Sequence, residues 1–383
     1  MSTDPGQGKT VLLTLGRLPV ALDVARSFQR AGWRVLVAEP TRMHLARMSS
    51  AVARCFTVTA PVRDAERYCS DLADIVAAEH VDLVVPVSEE SMYVAALKDR
   101  LPATVALFCM PQPDMLVLHD KLRFARMAER FGLCVPKTAQ AGSAEGEALT
   151  RRGAYVAKPR YSCSGRGIVF HETGEQAEYG PDMLVQARLD GDTYSSFSIA
   201  HDGRVLASVV YRGTVMDGSV AVGFERVTDM PALEAWTATF VRRAGHTGFI
   251  AFDFIVDDSG RVAALECNPR ATSGIHFIEP DAVAAAILGA SPPAPVHRPE
   301  RLLAESYSCF TATLGSLRSP DLRRHNWRQL RLARDVTWAR RDPWPFLLMT
   351  INTYRILALS MFKEHSFAAA AVLDIEWHDV NRE

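Results

Sequence analysis

Apolar residues occupy the first hundred positions in short blocks, separated by stretches with helical spacing. Val11–Leu15 and Arg34–Ala38 (RVLVA) read as buried strands. Cys55–Thr59, Asp82–Val87 and Thr104–Phe108 complete a set of five. Val20–Ala31 repeats apolar positions three and four residues apart and stops at Gly32, and a polar-faced helix runs to about Glu79. Strands apolar on both faces and separated by helices predict a parallel sheet covered on both sides. From about Met110 to Pro136 the pattern is a helix flanked by prolines. Residues 154–290 are strand-rich with glycine turns, and helices are expected at Pro231–Ala244 and Glu279–Leu288. Ser291–Pro299 holds four prolines in nine residues, which neither a helix nor a central strand tolerates. The expected architecture is an N-terminal α/β parallel-sheet domain (1–112), an α+β domain (113–290) and a small, mainly helical C-terminal domain (291–383).

Charge narrows the function classes. The 383 residues carry 43 Lys+Arg against 44 Asp+Glu, a net charge of −1, so no chain-wide field recruits nucleic acid or an anionic membrane. Residues 298–341 hold ten Arg against four acids, which reads more readily as a solvated helical face than as a phosphate surface. Seven cysteines form no C-x-x-C pair and sit largely in apolar runs, as expected of a reducing cytosol. MSTDPGQGKT lacks an apolar signal-peptide core, and Phe346–Phe362, broken by Asn352 and Arg355, is short for a bilayer span and reads as a buried amphipathic helix. GQGKT precedes the strand a phosphate loop should follow, and Gly16 opens no G-x-G-x-x-G, so neither motif carries weight. Only six basic residues are lysines, which draws the eye to Lys121 and Lys158.

The strongest chemical signal is FIAFDFIVDDSGRVAALECNPR, residues 249–270. It reads as two strands joined by a tight turn at Asp258-Ser259-Gly260. Asp253 and Glu266, 13 residues apart, then lie side by side, and Asn268 and Arg270 return to the same face at steps of two. Two carboxylates and an amide oxygen suit Mg²⁺, with phosphate oxygens completing the octahedron, and Arg270 offers a planar fork to phosphate. The alternative is an exposed polar sheet face. A second signal, YVAKPRYSCSGRGIVF, puts Lys158 at the end of an apolar strand before a small-residue loop over which backbone N–H groups can approach a polyphosphate. His119-Asp120-Lys121 begins the FARMAERFG helix, and MLVQARLDGDTYS runs an apolar strand into a glycine turn.

In this order the four segments resemble the ATP-grasp superfamily, of the carboxylate–amine or thiol ligase type with carbamoyl-phosphate-synthetase-like relatives, over about residues 10–290. The resemblance implies two α+β lobes holding ATP between them, and an ADP-forming ligase that activates a carboxylate as an acyl phosphate and passes it to an amine. Lys121 and Lys158 would touch the nucleotide. Ser164, Gly165 and Gly167 would belong to the phosphate loop, and Gln186, Ala187 and Leu189 to the adenine hinge. Asp253, Glu266 and Asn268 would ligate Mg²⁺, with Mn²⁺ as an alternative, and Arg270 would stabilise the transferring phosphoryl group. Ala187 and Thr193 stand where the family usually carries glutamates, leaving Asp190 or Asp192 to meet the ribose. Arg212 reads equally as a second catalytic clamp and as a surface arginine. Ser273, Gly274 and His276 are candidates for an acceptor pocket, with a structural role the commoner fate of such a histidine. Glu89 and Glu90 follow a strand end, where either binds an amino group or caps a helix. The expected partners are small carboxylates and amines, with no nucleic acid and no membrane, and a homodimer stays open. A carbamoyl-phosphate-synthetase-like kinase and a non-catalytic ATP-binding regulator are the competing readings.

Overall fold

Each of the five apolar runs forms a strand in the computed structural model, which describes residues 8–162, 165–175, 177–180, 182–315, 319–349 and 370–377. β1 (Thr10–Leu13) leads through α1 (Pro19–Arg30) to β2 (Arg34–Glu39). β3 (Arg54–Thr57), α2 (Ala65–Glu79), β4 (Leu83–Val85), α3 (Ser91–Val94) and β5 (Ala106–Leu107) follow. The strands pair in parallel in the order β3-β2-β1-β4-β5. Side chains alternate across this sheet. Val11, Leu13, Val35 and Val37 pack with Val24 and Phe28 of α1, whereas Leu12 and Leu36 meet Tyr68 and Leu72 of α2. Local signals set the helix ends: Pro19 occupies the first turn of α1, and the Asp64 carboxylate accepts the Arg67 N–H at 2.9 Å to start α2.

Two helices, α4 (Gln112–His119) and α5 (Lys121–Arg130), lead into a small antiparallel sheet. It comprises β6 (Thr138–Gln140), β7 (Tyr155–Pro159), β8 (Val169–His171) and β9 (Met183–Ala187), ordered β6-β9-β7-β8, with α6 (Ala144–Arg152) after β6. The larger sheet begins with β10 (Asp192–His201), β11 (Arg204–Asp217) and β12 (Val220–Val227). After α7 (Pro231–Ala244) come β13 (Gly248–Val256) and β14 (Val262–Asn268), the hairpin expected from the sequence, and then α8 (Pro280–Ile287). On β13, Phe252 faces α7, its ring 5.1 Å from Trp236 and 5.0 Å from Phe240. Phe249 and Ala251 point the other way, into the core shared with α1 and α8. Asp253, next but one after Ala251, follows that face toward the N-terminal sheet.

The segment after residue 291 is less separate than its proline-rich start suggests. It carries α9 (Ser306–Gly315), α10 (Pro320–Leu332) and α11 (Trp344–Leu347), but also β15 (Leu302–Ala304) and β16 (Arg334–Asp335). These two strands extend the larger sheet to β14-β13-β10-β11-β12-β15-β16. Most of the amphipathic helix expected at 346–362 lies outside the described residues. Residues 370–377 return to the N-terminal domain, as the apolar AAAVLDIEW run anticipates: Tyr93 Oη donates to the Glu376 carbonyl at 3.2 Å and its ring lies 4.7 Å from that of Trp377. No helix among the described residues is long and apolar enough to cross a membrane, and the six described cysteines are free thiols.

Buried polar contacts lock the N-terminal sheet to the larger one. Asp23 of α1, 1% exposed, accepts from His276 Nδ1 at 2.5 Å and from Arg298 at 2.6 Å. Burial alone would raise this carboxyl, but the Arg298 charge and the His276 hydrogen bond overcome it and hold the group below the usual aspartate range. The associated stability is therefore present above the unfolded aspartate value of about 4 and is lost as pH falls through the lower folded value. Asp23→Ala leaves two buried donors facing nothing, and is expected to lower stability by about 3–5 kcal/mol. Urea unfolding at pH 7 and pH 4 measures the loss; a variant within about 0.5 kcal/mol of the parent would contradict it.

Candidate active site

The site lies where the small sheet, the larger sheet and the ends of the parallel strands meet. Asp120 caps α5, accepting from the Leu122 and Arg123 N–H groups at 3.0 and 3.1 Å. Its other oxygen takes Arg160 at 2.6 Å and Tyr161 Oη at 3.0 Å. One carboxylate thus starts the helix that carries Lys121 and fixes the end of the strand that carries Lys158. Lys121 Nζ donates to the Ser162 carbonyl at 2.7 Å and lies 3.5 Å from Glu266 Oε2. Lys158, 4% exposed, spans the two sheets by donating to Gln186 Oε1 on β9 at 2.9 Å and to the Leu265 carbonyl on β14 at 3.1 Å. Burial, with Lys121 nearby, pushes Lys158 down to about 8 although Glu266 pulls the other way.

Across from the lysines, the β13–β14 register sets Asp253 opposite Glu266 and Ala251 opposite Asn268. Asp253 accepts Ser195 Oγ at 2.6 Å and Asn268 Nδ2 at 3.2 Å. The two carboxylates influence each other: burial and Glu266 push Asp253 up to about 7, whereas Lys121 and Lys158 overcome burial to bring Glu266 down to about 2. Two neighbouring carboxylates that resist common ionisation, beside an amide oxygen, form a donor set for a hard divalent cation with coordination left for phosphate and water. The described residues contain no group of three or more His, Cys, Asp or Glu able to hold a metal without such help.

Arg270 joins this cluster to the first domain. Its Nε lies 2.6 Å from Glu89 Oε1, and one terminal nitrogen is 3.5 Å from Asn268 Oδ1. Glu89 and Glu90 separate in role. Glu90 ties loops together, accepting from Thr14 Oγ1 at 2.9 Å and from the Val87 N–H at 2.7 Å. Glu89 instead faces Arg270, and its Oε2 is buried without a partner. Both stand just past β4, at the carboxyl ends where open α/β sheets form ligand crevices.

The two glycines expected in a phosphate loop are held by geometry. Gly165 and Gly167 have φ of +65° and +72°, and a Cβ on Gly167 would meet Pro159 Cγ at 2.8 Å. Ser164 lies outside the described residues. Arg166, between the glycines, pairs with Glu376 of the C-terminal segment. At the expected hinge Gln186 is buried, and the Ala187 N–H donates to the Lys137 carbonyl at 2.8 Å. The Leu189 N–H meets no backbone acceptor among the described residues. Asp192 and Thr193 are exposed at the start of β10.

Arg212 is not brought to this cluster. Tyr211 shares the face of Ser195 and Asp253, donating to Thr272 Oγ1 at 3.2 Å, so the next residue on β11 points to the opposite face. There Arg212 pairs with Glu225 at 2.7 Å. His276 is bound to Asp23 and is structural, and Gly274 packs so closely that a Cβ would lie 2.4 Å from Phe197 Cβ. Ser273 does line a cavity, of about 160 Å³, together with Glu89 and Arg270. Asp120, Ser195, Tyr211 and Thr272 are further site residues. Of these only Asp120, an acid directly before a helix, has a readable sequence signal.

Residues 118–274 match the family model of the ATP-grasp domain. No curated protein sequence matches the chain. Among solved structures it is similar to N5-carboxyaminoimidazole synthetase from Staphylococcus aureus, at 13% identity and a TM-score of 0.59, over 76% of this chain and 80% of that one. It is also similar to the biotin carboxylase domain of Hydrogenobacter thermophilus 2-oxoglutarate carboxylase, at 14% identity and a TM-score of 0.60, over 77% and 72% of the two chains. L-amino acid ligase from Bacillus licheniformis resembles it at 16% identity and a TM-score of 0.55, over 71% and 70%. At these identities the shared property is the fold.

The double role of Asp120 has a measurable consequence. Asp120→Ala removes the α5 cap and leaves Arg160 without its carboxylate, for an expected loss of about 2–3 kcal/mol. Asp120→Asn keeps a cap and should lose less than half as much; equal losses in chemical unfolding would contradict the separation of the two roles.

Proposed function

We propose that this chain, which carries an ATP-grasp domain at residues 118–274, is an ATP- and Mg²⁺-dependent ligase that activates a carboxylate and couples it to an amine, in the reducing cytosol its free thiols suit. The observation that carries this reading is the convergence of Lys121 from α5, Lys158 from the small sheet, and Asp253, Glu266, Asn268 and Arg270 from the β13–β14 hairpin and its end. Lys158 and Lys121 supply positive charge to the polyphosphate, and the glycine loop brings backbone N–H groups toward it. The Gln186–Leu189 hinge offers backbone groups to the adenine edge. Asp253, Glu266 and Asn268 would hold Mg²⁺, which would offset the negative charge that develops on phosphate during transfer.

Arg270 acts where charge is greatest. A substrate carboxylate oxygen attacks the γ-phosphorus, the bond to ADP breaks, and the guanidinium holds the transferring group beside the incoming oxygen. The amine nitrogen then attacks the acyl carbon, the carbon–oxygen bond to phosphate breaks, and the nitrogen loses a proton. None of these steps requires a protein nucleophile.

Screening acids and amines for ADP and phosphate release, with mass spectrometry of products, tests the reading; full turnover is expected only with acid and amine together. Glu266→Gln should lower Mg²⁺-dependent ADP release by at least about 100-fold. Wild-type-like release in that variant would sink the metal assignment. Arg270→Lys, which loses the planar fork, should cost about 10²–10³ in kcat. Arg212→Ala, on the opposite sheet face, should stay within about twofold of the parent; a loss like that of Arg270→Lys would restore it to the machinery.

A further inference from the structure

The cavity beside Arg270 lies between the parallel sheet, β12 and the C-terminal segment, and its chemistry is one-sided. Leu18, Val20, Leu45, Met349, Ala371 and Val372 supply an apolar wall. Four charged residues line it as well: Arg17, Arg270, Glu89 and Glu305. Arg17 has nothing left to give. All five of its N–H groups are taken, by Glu39, Asp374 and the Ala371 carbonyl. Arg270 is turned to Asn268 and to Glu89 Oε1.

The acids are less committed. Glu89 is 1% exposed, and its Oε2 is a buried acceptor with no donor. Such an atom costs free energy unless something supplies a hydrogen. Glu305 meets Ser308 Oγ at 3.2 Å, and its enclosed surroundings push the carboxyl above the ordinary glutamate range. The unfilled need in the cavity is therefore for a cationic hydrogen-bond donor with an apolar body.

We infer that this cavity binds the amine substrate, a primary ammonium that donates to Glu89 Oε2 and carries a compact hydrocarbon body of about six carbons. The inference rests on the ligase reading for its place in the reaction, but the pocket chemistry stands apart from it. The size follows from volume: a cavity of about 150 Å³ accommodates a benzene ring, and this one is about 160 Å³. The position is suitable, because Arg270 lies between the cavity and the Asp253–Glu266 pair, beside the point where an activated acyl group would form. Glu89 holds the ammonium and can take up the proton released as nitrogen becomes nucleophilic.

Calorimetric titration of the full-length protein without nucleotide tests this, with methylamine, isopentylamine, benzylamine, benzyl alcohol and phenylacetate as probes. Benzylamine should bind at least tenfold more tightly than benzyl alcohol, and phenylacetate should not displace it. Affinity should rise about fourfold for each buried CH₂ from methylamine to isopentylamine. Glu89→Gln should weaken benzylamine at least tenfold and leave benzyl alcohol unchanged, with retained MgADP affinity as the check on folding. If that variant loses MgADP binding, Glu305→Gln and the wild-type selectivity series decide. Equal binding of alcohol and amine, tighter binding of phenylacetate, no binding of any probe, or unaltered amine affinity in both glutamate variants overturns the inference. Amine binding without ADP release in any acid–amine mixture would remove the ligase reading and leave this pocket standing. ADP release with no amine bound here would do the reverse.

Discussion

Two carboxylates on neighbouring strands, Asp253 and Glu266, set the terms on which the rest of the molecule is built. Adjacent negative charges in an enclosed site repel, and each loses hydration that the protein must replace. Lys121 and Lys158 provide part of that replacement from outside the large sheet. Their reach requires the small sheet and α5 to pack against β14, which the Lys158 contact with the Leu265 carbonyl records directly. The remaining deficit on Asp253 is the kind a divalent cation would fill. The arrangement of the two lobes is, in electrostatic terms, a means of holding this pair.

Much of this was legible from the chain. The five apolar runs correspond to β1–β5, and the helix expected at Pro231–Ala244 matches α7. Alternation at steps of two is enough to place Asp253, Glu266 and Asn268 on one face, because a strand's period is rigid over so short a hairpin. The same rule, applied to Arg212, requires knowing which face of β11 holds the site. That parity depends on a partner, β10, whose register the sequence does not state. Asp120 illustrates a different gap. Its cap is local and visible, whereas its hold on Arg160, 40 residues later, exists only after the small sheet has folded back.

The C-terminal segment was the least readable because its contribution is made by short pieces. Strands of three and two residues, β15 and β16, carry no periodicity of their own and are specified by the edge of β12 that they join. Residues 370–377 owe their place to single anchors: Asp374 on Arg17, Glu376 on Arg166 and Trp377 on Tyr93. Those anchors matter beyond stability. Arg166 lies between Gly165 and Gly167, so the segment connects that glycine loop to the first domain.

Glu89 and Arg270 make the corresponding connection on the other side. A buried acid needs its cation, and here the acid comes from the loop after β4 while the half-buried arginine follows the carboxylate cluster on β14. The Glu89–Arg270 pair thus ties the loop after β4 to the end of the hairpin, and breaking it would leave Glu89 as a buried charge without its partner. The proposed two-step group transfer would need that tie, because the second nucleophile would have to find the activated acyl carbon without the site opening to water. The unpartnered oxygen of the same glutamate then acquires a reason: one carboxylate oxygen holds the arginine in register, and the other is left to receive what reacts next.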